Sequence, residues 1–88
     1  MARPTRCRRI CMEPAYDSFF PDGLLTGEEV IMTLDEYETI RLIDLEEYTQ
    51  HECAKQMNIS RTTAAEIYKS ARYKMADSIV NGKKLLIT

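Results

Sequence analysis

From Thr33 onward the apolar positions of this chain recur with helical spacing, and each helical stretch carries its own start signal. Thr33-Leu34-Asp35-Glu36 has the form of a capping box, in which a hydroxyl accepts from an early helix N–H and a carboxylate three residues on reaches back. Tyr37, Ile40, Leu42, Ile43 and Leu45 follow at helical intervals, so the pattern predicts a helix over residues 34–46. Thr49-Gln50-His51-Glu52 repeats the box. Cys53, Ala54 and Met57 then form the apolar side of a short helix ending at Asn58, a residue that tolerates the left-handed conformation. Ile59 plugs the turn, and Ser60 is a good N-cap for a third helix with Arg61 and Thr62 in its first turn. With Ala64 at zero and about 100° per residue, Ile67, Tyr68, Ala71, Met75 and Ile79 fall within about 60° of one line, which predicts a core-facing stripe. Thr62, Glu66, Lys69 and Tyr73 fall opposite it. Asn81-Gly82 stops the helix after about 20 residues, roughly 30 Å.

The first third of the chain has a different texture. Pro14, Pro21, Gly23 and Gly27 mark residues 14–27 as loop or turns, anchored by Phe19, Phe20, Leu24 and Leu25. Residues 30–32 form a β-branched run that pairs, in this reading, with residues 8–12 as a small antiparallel ribbon. Residues 83–88 read either as a terminal strand or as a loose tail. The chain thus divides into a basic arm, loop and ribbon (1–32), a helical domain (33–82) and a tail (83–88), and the fold class expected is mainly α.

At 88 residues and 10.2 kDa there is little core to spare, and too little chain for a deep cleft between two layers. The longest uncharged apolar runs are three or four residues, whereas a membrane-spanning helix needs about 20. The N-terminal arginines are followed by charges and a proline in place of a secretory apolar stretch. The expected setting is the cytoplasm, and three cysteines there do not suggest a disulfide framework. Net charge, formally −2, conceals a polarised distribution. Arg3, Arg6, Arg8 and Arg9 make the start basic; residues 13–52 carry 12 acids against Arg41 alone; residues 53–88 carry seven bases against Glu66 and Asp77.

Two helices joined by three or four residues make a helix-turn-helix. Ala54 is small where the helices approach, Asn58 supplies the positive φ, Ile59 is the buried turn residue, and Ala64 and Ile67 face inward on the second helix. An ordinary helical hairpin does not need these five residue types at these offsets together. Residues 49–79 resemble the helix-turn-helix of region four of bacterial sigma factors. The whole chain is similar to a prokaryotic family of short predicted DNA-binding proteins, domain-of-unknown-function family 134. The carriers of that resemblance are Arg3-Pro4, Cys7-Arg8-Arg9-Ile10-Cys11, Val30-Ile31-Met32-Thr33, Asp35-Glu36-Tyr37-Glu38, Ile40-Arg41-Leu42-Ile43-Asp44 and Asn81-Gly82-Lys83. The resemblance implies a three-helix core of winged-helix or sigma region four type and a transcriptional regulator partnered with double-stranded DNA. In it Arg61, Thr62, Thr63 and Glu66 take base-reading positions. Thr62 and Thr63 depart from the charged residues common there, so the promoter element that sigma factors read is not carried over.

The chemistry of these residues suits the same role. Arg61 can donate in bidentate fashion to guanine, either threonine can bond a base or pack a methyl on thymine, and Glu66 can accept from cytosine N4. Glu66 has a second reading as a helix-surface partner of Lys69 or Ser70. Lys69, Arg72 and Lys74, with the helix starts at Thr49, Gln50 and Ser60, are the expected phosphate contacts. The tail of Arg3, Arg6, Arg8 and Arg9 reads either as a minor-groove arm or as a solubilising end.

Other chemistries fit less well. Cys7, Cys11, His51 and Cys53 are nominal zinc ligands, but residues four apart on a strand stand roughly 13 Å apart. His51 and Cys53 differ by about 200° on a helix. A metal- or redox-responsive regulator through Cys7 and Cys11 is therefore an alternative that needs a tight turn there; no metal or cofactor is expected, and Cys53 reads as a small core residue. One histidine, no nucleophile elbow and no phosphate-cradling glycine loop give no catalytic constellation, so no enzyme is expected. A second function class is a protein-interaction adaptor using the acidic first helix. Tyr73, Val80 and residues 85–87 are spare apolar surface for a homo-oligomer.

Overall fold

The computed structural model describes residues 13–23 and 27–88. The elements in chain order are β1 (Ser18–Phe19), β2 (Glu29–Met32), α1 (Leu34–Thr39), a π-helical turn (Ile40–Leu45), α2 (Gln50–Met57), α3 (Arg61–Asn81) and β3 (Lys84–Ile87). The fold is mainly α with a small three-stranded sheet.

The helix starts are fixed by the side chains that the sequence marks. Thr33 Oγ1 accepts from the Glu36 N–H at 3.2 Å, and Thr33 N–H donates to Glu36 Oε1 at 2.9 Å. Thr49 and Glu52 repeat that box at 3.0 and 2.8 Å. Ser60 Oγ accepts from the Thr63 N–H at 3.1 Å. Each such cap contributes about 1 kcal/mol. The predicted first helix is present but not uniform: from Ile40 its hydrogen bonds lengthen in register, with Glu46 N–H donating to the Arg41 carbonyl. Widening the turn changes the phase of the apolar face by about one residue, so Leu42 is buried while Leu45 is left exposed. Glu47 ends the segment at φ 65°.

α2 ends as expected. Asn58 adopts φ 62°, ψ 46°, which reverses the chain between α2 and α3. Two clusters form the core. Met32, Ala71 and Ile87 are joined by Leu34, Tyr37, Ile40, Met75 and Leu85; Leu42, Cys53 and Met57 are joined by Ile43, Tyr48 and Ile59. Cys53 is buried, and its thiol donates to the Met57 sulfur at 3.7 Å, so it acts as the small core residue expected. The predicted stripe of α3 covers the core only up to Met75; Ile79, at the end of the same line, is exposed.

The sheet decides one open reading, that residues 83–88 are a strand, and corrects two expectations, the spare surface at residues 85–87 and the loop at residues 18–19. Its order is β1-β3-β2, with β3 antiparallel to β1 and parallel to β2. Residues 83–88 are therefore no tail: they supply the central strand, and Leu85 to Ile87 are half-buried or buried, hence not spare surface for an oligomer. Residues 30–32 are extended as predicted, yet their partner among the described residues is β3; the expected pairing with residues 8–12 lies outside the described residues. Residues 18–19, read as loop, form the second edge strand.

Two outcomes follow from these contacts. Asn58→Ala should cost about 1 kcal/mol in urea unfolding, because a Cβ-bearing residue without the Asn side chain is disfavoured at positive φ, while Asn58→Gly should be near neutral. Glu36 gives a pH dependence. Burial pushes its carboxyl up, but hydrogen bonds from Ser70, Lys74 and the Thr33 N–H, with the Lys74 charge, outweigh that and hold it below the ordinary glutamate range. A lowered folded pKa stabilises the fold fully above about pH 4.3 and is lost as pH falls through the folded value. The stability of Glu36→Gln should accordingly fall less steeply than that of the parent on acidification below that range; parallel curves would refute the assignment.

Candidate nucleic-acid interface

The orientation of α3 is set from its flank. Ser70 Oγ donates to Glu36 Oε2 at 2.6 Å, and Lys74 Nζ donates to Glu36 Oε1 at 2.9 Å. Ser70 and Lys74 are one turn apart, so both reach one carboxylate on α1. A second tie lies nearer the helix start, where the Tyr68 hydroxyl donates to Asp44 Oδ1 at 2.6 Å. That bond, then burial and the Asp44 charge, raises the Tyr68 pKa, against an opposing contribution from Arg72. With its flank and inner side held, α3 presents Arg61, Thr62, Glu66, Lys69, Arg72 and Tyr73 outward, all of them exposed.

The predicted base-reading residues divide in two. Arg61, Thr62 and Glu66 are exposed and make no side-chain hydrogen bond or ion pair among the described residues, so the reading of Glu66 as a partner of Lys69 or Ser70 is not met. Thr63 is exposed too, but its hydroxyl accepts from Ser60 Oγ at 2.9 Å, and both hydroxyls serve the cap of α3. The two helix starts also differ electrically. In α2 the carboxylate of Glu52 occupies the Thr49 N–H and puts a negative charge on that end. No acid lies in the first turn of α3, which leaves its positive end, with Arg61 beside it, open to an anion.

The phosphate set is changed in the same way. Lys69 and Arg72 face outward as expected. Lys74 is a correction: it points about 140° away from Lys69 around the helix and is paired with Glu36, so its charge is used inside the fold. Gln50, Ala65, Tyr68, Lys69, Arg72 and Tyr73 line a shallow concavity of about 580 Å³ between the start of α2 and the outer side of α3. Arg72 lies over the Tyr68 ring, 5.5 Å from its centre, and donates to the Tyr68 hydroxyl at 3.3 Å. Tyr68 therefore stands at the rim of the candidate site and not wholly within the core stripe. Its spacing of four from Arg72, and a hydroxyl that needs a partner, were the available signals.

Two acids of the middle block, Glu36 and Glu38, are buried and paired within the fold. Glu38 is fully buried and accepts two bonds from Arg41, at 2.9 Å each. The hydrogen bonds that Arg41 donates to Glu38, opposed by burial and reinforced by the charges of Glu38 and Glu46, raise the Arg41 pKa. Glu36, Asp44 and Glu52 are engaged as described. Burial, with the Glu38 charge, raises the Cys53 thiol pKa. Among the described residues no group of three or more His, Cys, Asp or Glu side chains is placed to hold a metal ion, and no helix is long and apolar enough to cross a membrane. Cys7, Cys11 and the arginines at 3, 6, 8 and 9 lie outside the described residues.

Lys69 and Lys74 should thus respond differently to one substitution. Lys74→Met should cost about 1–2 kcal/mol, because it leaves a buried carboxylate short of its charged partner, whereas Lys69→Met should change stability by no more than about 0.5 kcal/mol. Equal losses in thermal or urea unfolding would contradict the different roles described.

Comparison with known proteins agrees with the extent of the resemblance. The model of a family described as "Protein of unknown function DUF134" matches residues 1–88. A UPF0251 protein of Desulfitobacterium hafniense is 55% identical over 89 residues, covering 99% of this chain and 71% of that protein. UPF0251 proteins of Thermoanaerobacter pseudethanolicus and Aeromonas salmonicida are 46% and 44% identical, each over 99% of this chain and over 75% and 87% of their own length. No solved structure matches the chain. The chain belongs to the DUF134 family.

Proposed function

We propose that this DUF134 protein is a sequence-specific DNA-binding protein and transcriptional regulator that lays the start of α3 in the major groove. The observation that carries this reading is the pairing of α2 and α3 through Asn58, with Arg61, Thr62, Glu66 and Lys69 exposed and, among the described residues, unpartnered on the outer side. In a helix-turn-helix the residues at the start of the second helix contact base edges, and the first helix crosses the phosphate backbone. Here Arg61 would donate to guanine, Thr62 would bond or pack against a base, and Glu66 would accept from cytosine. Glu66 also repels phosphate, so it serves discrimination more than affinity. Lys69 and Arg72, with Gln50 across the shallow concavity, would hold phosphates, and Tyr68 keeps the Arg72 guanidinium in place. The adaptor reading is narrowed, because Glu36 and Glu38 of the acidic first helix are buried and paired within the fold.

Selection of bound duplexes from a random pool, followed by titration of the selected site, tests the proposal. Arg61→Ala should weaken that site by about 1–3 kcal/mol and relax the preference at one base pair. Lys69→Met should weaken all duplexes alike and lower the slope of log affinity against log salt by about one. Failure to enrich any sequence, together with no binding to any duplex at low salt, would refute the reading.

A further inference from the structure

The apolar stripe of α3 does not end where the core ends. Ala64, Ala71 and Met75 pack inward, but Ile79 on the same line is 75% exposed, and Val80 beside it is 78% exposed. Opposite them, on the edge strand and the loop that follows it, Phe19 and Phe20 are 49% and 61% exposed. Phe19, Phe20 and Ile79 belong to one surface, whereas Val80, about 100° further round α3, lies off it. Phe19, Met75, Ser78, Ile79 and Leu85 line one apolar hollow, and Phe19, Phe20, Pro21 and Ile79 line a second that adjoins it. Phe19, Phe20 and Ile79, with the half-buried Met75 and Pro21, present on the order of 400 Å² of apolar area. That is within the size range of the largest patch on a monomer, a range in which such patches are often functional, and near the apolar share of one side of a standard protein–protein interface.

We infer that this face, built from the exposed Phe19, Phe20 and Ile79 with Met75 and Pro21 beside them, binds a second copy of the same chain. Three observations favour a copy of this chain as the occupant. The area matches what one side of a stable dimer needs. The rim carries both signs of charge: Lys84 lies over the Phe20 ring at 5.7 Å, Asp77 and Lys83 pair at 3.1 Å, and Asp22 follows Pro21. In a two-fold contact each rim group meets groups of its own surface, so a mixed rim avoids the like-charge repulsion that a single-sign rim would create. Finally, the face lies at the far end of α3 from Arg61. Eighteen residues of helix separate Ile79 from Arg61, about 27 Å. Pairing at that end leaves both outer helix faces uncovered.

The surface stands independently of the DNA reading; its consequence for DNA rests on that reading. Half-sites one helical turn apart place each reading end about 17 Å from the two-fold axis, within the 27 Å reach of α3, so the bound sequence should be an inverted repeat.

Sedimentation of the full chain without DNA tests the surface by itself. The expected species at about 100 µM has twice the 10.2 kDa chain mass. Ile79→Asp and Phe20→Lys should each raise the dissociation constant at least tenfold with an unchanged helical circular dichroism spectrum, whereas Lys55→Glu on α2 should leave it unaltered. A monomer mass throughout, or a dimer indifferent to both substitutions, overturns the inference and leaves the face to a different partner. Selected duplexes containing single half-sites, bound by a proven dimer, would overturn the inverted-repeat consequence alone.

Discussion

One carboxylate, that of Glu36, holds the framework in register. It closes the N-terminus of α1 through the Thr33 N–H and receives Ser70 and Lys74 from α3, so a single group fixes where one helix begins and how another is rotated. A buried carboxylate is costly unless its lone pairs are filled and its charge is matched. Here three donors, one of them an ammonium, meet both conditions, which is why the group stays ionised in spite of its burial. If α3 turned about its axis, that arrangement would break. The outward direction of Arg61, Thr62 and Lys69 therefore depends on a contact made on the flank of the helix, well away from any ligand.

The same arrangement explains why net charge says little about this protein's surface. Most acids of residues 13–52 are exposed, but they lie outside α3. Two are taken into the fold, Glu38 with Arg41 and Glu36 with Lys74, and Glu52 closes a helix start at the surface. What α3 shows on its outer side is Arg61, Lys69 and Arg72 against Glu66 alone. A slightly negative chain thus carries a locally positive strip, and it is the local field at close range that an anionic partner meets.

Local signals were legible in the sequence because they act within a few residues. Both capping boxes, the left-handed Asn58, the Ser60 cap and the Gly82 stop depend only on neighbours, and each is present. Hydrophobic spacing correctly marked Ala64 and Ala71 as buried but could not say where the covering layer stops, so Ile79 was assigned to the core. Long-range choices left no such trace. Lys74 looks like any exposed lysine until Glu36, far back in the chain, is brought beside it. Residues 84–87 look like a tail until β1 and β2 are placed on either side of them. The π-helical turn is similarly hidden, since its apolar positions fit an ordinary helix when read alone.

The position of β3 between β1 and β2 has a consequence for how the molecule forms. Every strand pairing in the sheet uses β3, and β2 and β3 are separated in sequence by all the helices. Closing so long a loop costs chain entropy that short-range helical contacts do not incur, and pre-formed helices shorten the span to be closed. The helical layer is therefore expected to assemble ahead of the sheet, and the sheet to open before it. Amide exchange in β2 and β3 should report this opening while the amides of α2 and α3 are still protected.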